Sequence, residues 1–209
     1  MTTRPTVFVV DDNVGMRKSL RELMESAGYG VETYASGEEF LQVYDPERPG
    51  CLVLDLRLRH ASGLDLQDEL RRRSGDRLLP ILILTGHGNV QTSVRALKGG
   101  AVDFLQKPIP PNVLLERIGT AIEADRQKRA TASERSAVAE RLAHLTHRER
   151  EVMELLVAGK TSKEIATALR VSVRTVEGHR RMVLSKTNVS SAAQLVRTVL
   201  GAGQGGRRT

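Results

Sequence analysis

Cys51-Leu-Val-Leu-Asp55 is four apolar residues closed by a carboxylate, and its reading decides the fold. No polar residue alternates through it, so it reads as a strand covered on both faces, the mark of a parallel sheet. The pattern repeats outward in both directions. Thr6-Val-Phe-Val-Val10 runs into Asp11-Asp12, Pro80-Ile-Leu-Ile-Leu84 into Thr85, and Ala101-Val-Asp-Phe-Leu105 is followed by Lys107-Pro108, with Gly30-Val-Glu-Thr-Tyr34 as a fifth run. Between the runs lie segments with helical spacing: Met16, Leu20, Leu23 and Ala27 up to a stop at Gly28, then 38–43, 64–72 and 90–97. Alternating strands and helices predict a doubly wound α/β domain with a five-stranded parallel sheet.

Beyond Pro111 the strand signals end. Val113, Leu114, Ile118 and Ile122 begin a helix that passes into the polar stretch 126–135, where no Gly or Pro interrupts it. Val138, Leu142 and Leu145 could form a pairing stripe. After Thr146 four short helical segments predict a small all-α domain. The expected organisation is a domain over 1–122, a helical linker over 123–144, a helical domain over 145–200 and a tail, 201–209, too glycine-rich to fold.

Charge separates the two halves. Residues 1–144 hold 20 Lys/Arg against 20 Asp/Glu, whereas residues 145–209 hold 12 against 5 and carry the whole net charge of +7. A neutral module followed by a basic one predicts that only the second meets a polyanion. No stretch approaches the roughly 20 apolar residues of a membrane span, and the first residues show no signal-peptide pattern. Cys51 has no partner for an internal disulfide and sits in an apolar run. Together these predict a cytoplasmic protein without a membrane partner.

Chemistry in a doubly wound sheet collects at the carboxyl ends of the strands. Those ends carry Asp11, Asp12, Asp55 and Thr85, with Lys107 after the fifth. Three carboxylates in one crevice repel one another unless a cation joins them, and a hard divalent ion, most simply Mg²⁺, meets that need. Asp55 can then attack phosphorus while the metal and Lys107 neutralise the phosphoryl oxygens and Thr85 donates its hydroxyl. Asp12 admits a second reading, as the cap of the following helix. An aspartyl-phosphate phosphohydrolase would use similar groups, but with its nucleophile in an Asp-x-Asp motif on the first strand.

In these residues the segment 5–125 resembles the receiver domains of two-component signalling, a flavodoxin-like fold. The resemblance implies phosphoryl transfer from a sensor histidine kinase to Asp55, with Mg²⁺ held by Asp12, Asp55 and the Arg57 carbonyl, and by Asp11 through water. It also implies that Thr85 turns toward the phosphoryl group and draws the aromatic Phe104 inward. One departure stands out: in Asp55-Leu-Arg-Leu-Arg59-His60-Ala-Ser-Gly63 the final glycine is kept, but Arg59 replaces the usual proline. The loop is expected to be more basic, and Arg59 and His60 to alter donor docking or phosphoryl lifetime. Arg57 and His87 occupy flanking positions that tune hydrolysis in receivers.

In the basic half, Thr146 with Glu149 makes a capping box, Gly159 ends a helix, and Ser162–Leu169 leads through a tight turn to Ser172 and a helix over 173–186. Two helices on a tight turn, the second carrying Arg174, His179, Arg180, Arg181 and Lys186, predict a helix-turn-helix. Leu145-Thr-His-Arg-Glu-Arg-Glu-Val, Gly159-Lys-Thr-Ser-Lys-Glu-Ile-Ala and Val171-Ser-Val-Arg-Thr-Val-Glu-Gly-His resemble the LuxR-type domain. With a receiver in front, the chain resembles the NarL/FixJ family, and on Thr85-Gly-His-Gly and Gly100-Ala-Val-Asp-Phe-Leu its FixJ branch. Lys163, Thr175, His179 and Arg180 are candidate phosphate contacts, and Glu177, Gly178 and Arg181 match base-facing positions. Glu177 can also be read as a surface charge that DNA would repel. The resemblance further implies a homodimer on phosphorylation, double-stranded promoter DNA as target, and RNA polymerase as a contact of an activator rather than an enzyme. Residues 145–209 hold no aromatic residue for stacking on RNA bases.

Overall fold

The computed structural model describes residues 5–59, 62–86 and 89–203. The chain divides into two compact units, one up to Arg129 and one from Ala130. In the first, β1 (Thr6–Val10), β2 (Gly30–Tyr34), β3 (Gly50–Leu54), β4 (Ile81–Thr85) and β5 (Asp103–Gln106) form a sheet of order β2-β1-β3-β4-β5. Every pairing is parallel. The expected fold class is the observed one.

Period-two alternation sends each apolar run to both faces. Phe8, Val10, Leu52, Leu54, Ile81 and Ile83 join Phe40 of α2 (Gly37–Val43), Leu66 and Leu70 of α3 (Gly63–Ser74) and Ala96 of α4 (Val90–Lys98). On the other face Val7, Val9, Cys51, Val53, Leu82 and Leu84 meet Leu20 and Met24 of α1 (Val14–Ser26) and Leu114 and Ile118 of α5 (Pro111–Ala143). Burying strands on both sides is what removed polar alternation from the sequence.

α5 stays clasped to the first unit as far as Arg129. Asp125, only 3% exposed, accepts the Gly50 N–H (3.1 Å) and Arg129 Nε (2.7 Å). The Arg129 guanidinium also donates to the Glu47 and Arg48 carbonyls at 2.9 and 3.0 Å. A buried carboxylate needs such partners, and this pair serves the turn before β3.

The second unit contains α6 (His147–Val157), α7 (Ser162–Leu169), α8 (Val173–Thr187) and α9 (Ala192–Gly203). Its core is built on Leu145, Val152, Leu156, Ile165, Val176, Val183 and Leu195. Leu142 and Leu145 of the expected pairing stripe pack into this core. Thr146 and Thr161 close capping boxes with Glu149 and Glu164, and Ser172 caps α8. α9 continues through Gly203, three residues past the expected end at 200. Extending an anchored helix costs far less than starting one, so glycines after Val199 can still join it. Residues 204–209 of the expected tail lie outside the described residues.

Candidate functional site

Asp11, Asp12, Asp55, Arg57 and Lys107 line one cleft of about 340 Å³ at the carboxyl end of the sheet. Asp11 is 2% exposed, held where β1 ends, and the Arg17 guanidinium donates to its carbonyl at 2.6 Å. The helix that follows is capped by Asn13, whose side chain accepts the Met16 N–H at 3.0 Å. Asp12 is therefore not the cap, and its carboxylate stays with the cleft. Asp55 continues the β3 ladder by donating its N–H to the Val10 carbonyl (2.9 Å), while its Oδ1 accepts the Arg57 N–H at 3.1 Å.

Lys107 ties the carboxylates together. Its Nζ donates to Asp11 Oδ2 at 2.7 Å and to Asp55 Oδ2 at 2.8 Å. Burial by itself would lower the lysine pKa, but the hydrogen bonds and charges of Asp11 and Asp55 outweigh it and hold the ammonium above the usual lysine value. The group is thus a fixed positive charge at neutral pH. Its own N–H donates to the Thr85 carbonyl at 2.8 Å, which links the lysine to the end of β4. Thr85 is fully buried there. Phe104 pairs with Ile83 across β4 and β5 and is partly buried against the α2–α3–α4 side of the core.

The cleft offers hard oxygens in the Asp11, Asp12 and Asp55 carboxylates. That chemistry suits a hard divalent cation. Among the described residues no three His, Cys, Asp or Glu side chains are grouped as a ready-made cage. His60 and His87, expected to flank the site, lie outside the described residues. Arg59 places Nε 3.7 Å from Asp12 Oδ2.

In the second unit, Arg170 turns the chain between α7 and α8 with φ 55°, and the next helix begins at once. Val176, Val183 and Thr187 of α8 are buried. Arg174, Gly178 and Arg181, spaced four and three residues apart, share the opposite, exposed face. A side chain at Gly178 would meet nothing within 4 Å, so nothing in the chain itself requires glycine there. Lys163 and Thr175 are exposed, and the Thr175 hydroxyl lies 2.8 Å from Ser172 Oγ. Glu177 is drawn aside: Ser162 Oγ donates to it at 2.5 Å, and Arg180 Nη1 donates to the same Ser162 hydroxyl at 2.6 Å. His179 is half-buried.

Lys186 differs from the sequence expectation. Its Nζ donates to Glu149 Oε2 at 2.7 Å, and Glu149 is 4% exposed. Glu149 also accepts the Thr146 N–H at 2.7 Å. Lys186 is committed within the fold, as a bolt between the start of α6 and the end of α8. The lysine and this N–H hold the Glu149 carboxyl below its ordinary value. A depressed carboxyl stabilises the fold above the unfolded-state value, and that stability disappears as pH falls through the folded value. Lys186→Met should therefore destabilise the second unit at neutral pH by on the order of 2 kcal/mol, since Glu149 loses its counter-ion. The deficit should shrink as the solution is acidified below the usual carboxylate range. Thermal unfolding followed against pH measures both.

Comparisons with known proteins agree with this geometry. Residues 7–119 match the response regulator receiver domain, and residues 143–199 match the bacterial regulatory proteins of the luxR family. The transcriptional regulatory protein FixJ of Rhizobium meliloti (strain 1021) is 40% identical over 202 residues, covering 96% of this chain and 97% of that protein. The C4-dicarboxylate transport transcriptional regulatory protein DctR of Rhodobacter capsulatus is 41% identical over 92% of this chain and 98% of its own length. Among solved structures, response regulator StyR superposes with a TM-score of 0.87 at 39% identity, covering 95% of this chain and 99% of that one.

Proposed function

The chain belongs to the NarL/FixJ family of response regulators, a receiver joined to a LuxR-family DNA-binding domain, and on that premise we propose that Asp55 is its phosphoacceptor. The observation that carries this reading is the Lys107 ammonium bridging Asp11 and Asp55 at the carboxyl end of the sheet. A sensor histidine kinase presents a phosphohistidine, and an Asp55 oxygen attacks its phosphorus. The P–N bond breaks, the electron pair returns to the imidazole, and an acyl phosphate forms. Lys107 holds positive charge beside the transferred group. Asp12, Asp55 and the Arg57 carbonyl, with Asp11 through water, would hold Mg²⁺, which supplies further charge to neutralise the phosphoryl oxygens.

Thr85 and Phe104 form the switch pair: the hydroxyl meets the phosphoryl group and the ring follows inward. The receiver then pairs with a second copy, and two helix-turn-helix units read half-sites about one DNA turn apart. Arg181 and Gly178 face the bases, and Arg174, Lys163, Thr175, His179 and Arg180 meet the backbone. The open space beside Gly178 supports close approach to DNA. The protein acts in the cytoplasm on promoter DNA, as an activator in contact with RNA polymerase.

A gel-shift series with and without a small phosphodonor and Mg²⁺ tests the switch, with oligomeric state followed by light scattering. Tighter DNA binding and dimer formation on phosphorylation are expected. Equal affinity and equal mass in both states would count against it.

A further inference from the structure

We propose that Arg59 is a displaceable counter-ion of the acidic cleft, competing with the divalent cation for Asp12 and so raising the cation concentration the receiver needs. The inference rests on the metal reading above and concerns what this chain adds to it.

The carboxylates of the cleft are held unequally. Asp11 and Asp55 share Lys107 through two short hydrogen bonds, and the lysine side chain is only 17% exposed. Asp12 is excluded from the helix cap by Asn13. Among the described residues its ion pair is with Arg59, a single contact of 3.7 Å made by a side chain that is 72% exposed. Lys107 is built in, whereas Arg59 can leave at little cost.

Charge balance gives the exchange its direction. Among the described residues the cations ion-paired to these carboxylates are Lys107 and Arg59, and together they leave one of the three negative charges unpaired. Lys107 and a divalent ion neutralise all three, and Arg59 then becomes surplus. A guanidinium and a dication on the same carboxylate repel each other, so binding of one weakens the other. Proline in this position would carry no charge and leave Asp12 open to the ion.

An exposed ion pair of this kind is weak and screened by salt. Calorimetric titration of the full chain with MgCl₂ tests the exchange. Arg59→Gln should bind Mg²⁺ about two- to five-fold more tightly than wild type at low salt, the range set by exposed pairs. The advantage should shrink at high salt, and Arg59→Lys, which keeps the charge, should stay near wild type. Arg59→Gln binding no tighter than wild type overturns the proposal while leaving the metal site intact. Equal tightening by Gln and Lys overturns it too, since loop shape would then be the cause. Wild type that binds no Mg²⁺ at all overturns both the metal reading and this one.

Discussion

Asp55→Asn will leave the receiver folded and unable to take up a phosphoryl group from either a kinase or a small phosphodonor. The amide matches the carboxylate in shape, and its oxygen can still accept the Arg57 N–H that Asp55 Oδ1 accepts. What it lacks is a nucleophilic carboxylate and the negative charge that pairs with Lys107. Phosphate-affinity gel electrophoresis after incubation with acetyl phosphate and Mg²⁺ should show a shifted band for wild type and none for the variant. DNA binding by the variant should equal that of the unphosphorylated protein with or without donor. A shifted band for Asp55→Asn would move the acceptor elsewhere in the chain.

Gly63→Ala should cost the receiver both stability and phosphorylation, although residue 63 takes no part in the chemistry. A Cβ built there would lie 2.3 Å from the Asp55 carbonyl oxygen and 3.0 Å from Leu56 Cα. Both are backbone atoms, so no side-chain rotation relieves the clash. Gly63 also donates its N–H to the Leu56 carbonyl at 2.9 Å, and Arg57 and Ser62 pair as an antiparallel bridge above it. The loop after Asp55 is pinched shut at its neck, and the pinch needs a residue without a side chain. Overpacking of this sort costs about 1–3 kcal/mol, and the strain falls on the peptide that aims the Asp55 carboxylate. Thermal unfolding and the rate of labelling by acetyl phosphate should fall together. A variant as stable as wild type and phosphorylated at the same rate would show that the loop yields without moving Asp55.

The contrast between these residues explains what could be read in advance. Asp55, Thr85 and Lys107 announced themselves because each closes or follows an apolar run, and the sheet brings such positions together whatever the loops do. The strands were legible for the same reason: burial on two faces strips polar residues from a run. The final glycine of the loop was visible, but its purpose was not, since the clash is with a backbone eight residues earlier. Asp125 and Arg129 were hidden in a polar stretch that looks like linker. Their partners, the Gly50 N–H and the Glu47 and Arg48 carbonyls, are about 75 to 82 residues away in sequence. Lys186 was read as a DNA contact from its basic neighbours, yet its partner Glu149 sits 37 residues earlier. Of the two readings that Asp12 admits, the helix cap falls to its neighbour Asn13, which the sequence reading had not singled out.

Strand β3 has one more use. Cys51 is the single cysteine of the chain, fully buried in β3, and burial pushes its thiol up to about 12. A thiol held so far from ionisation and from solvent cannot react in the closed sheet. A disulfide reagent will label it only when the sheet opens, so the rate of labelling is a clock for that opening. The wild-type sequence thus carries its own chemical reporter of receiver breathing, readable without adding a probe.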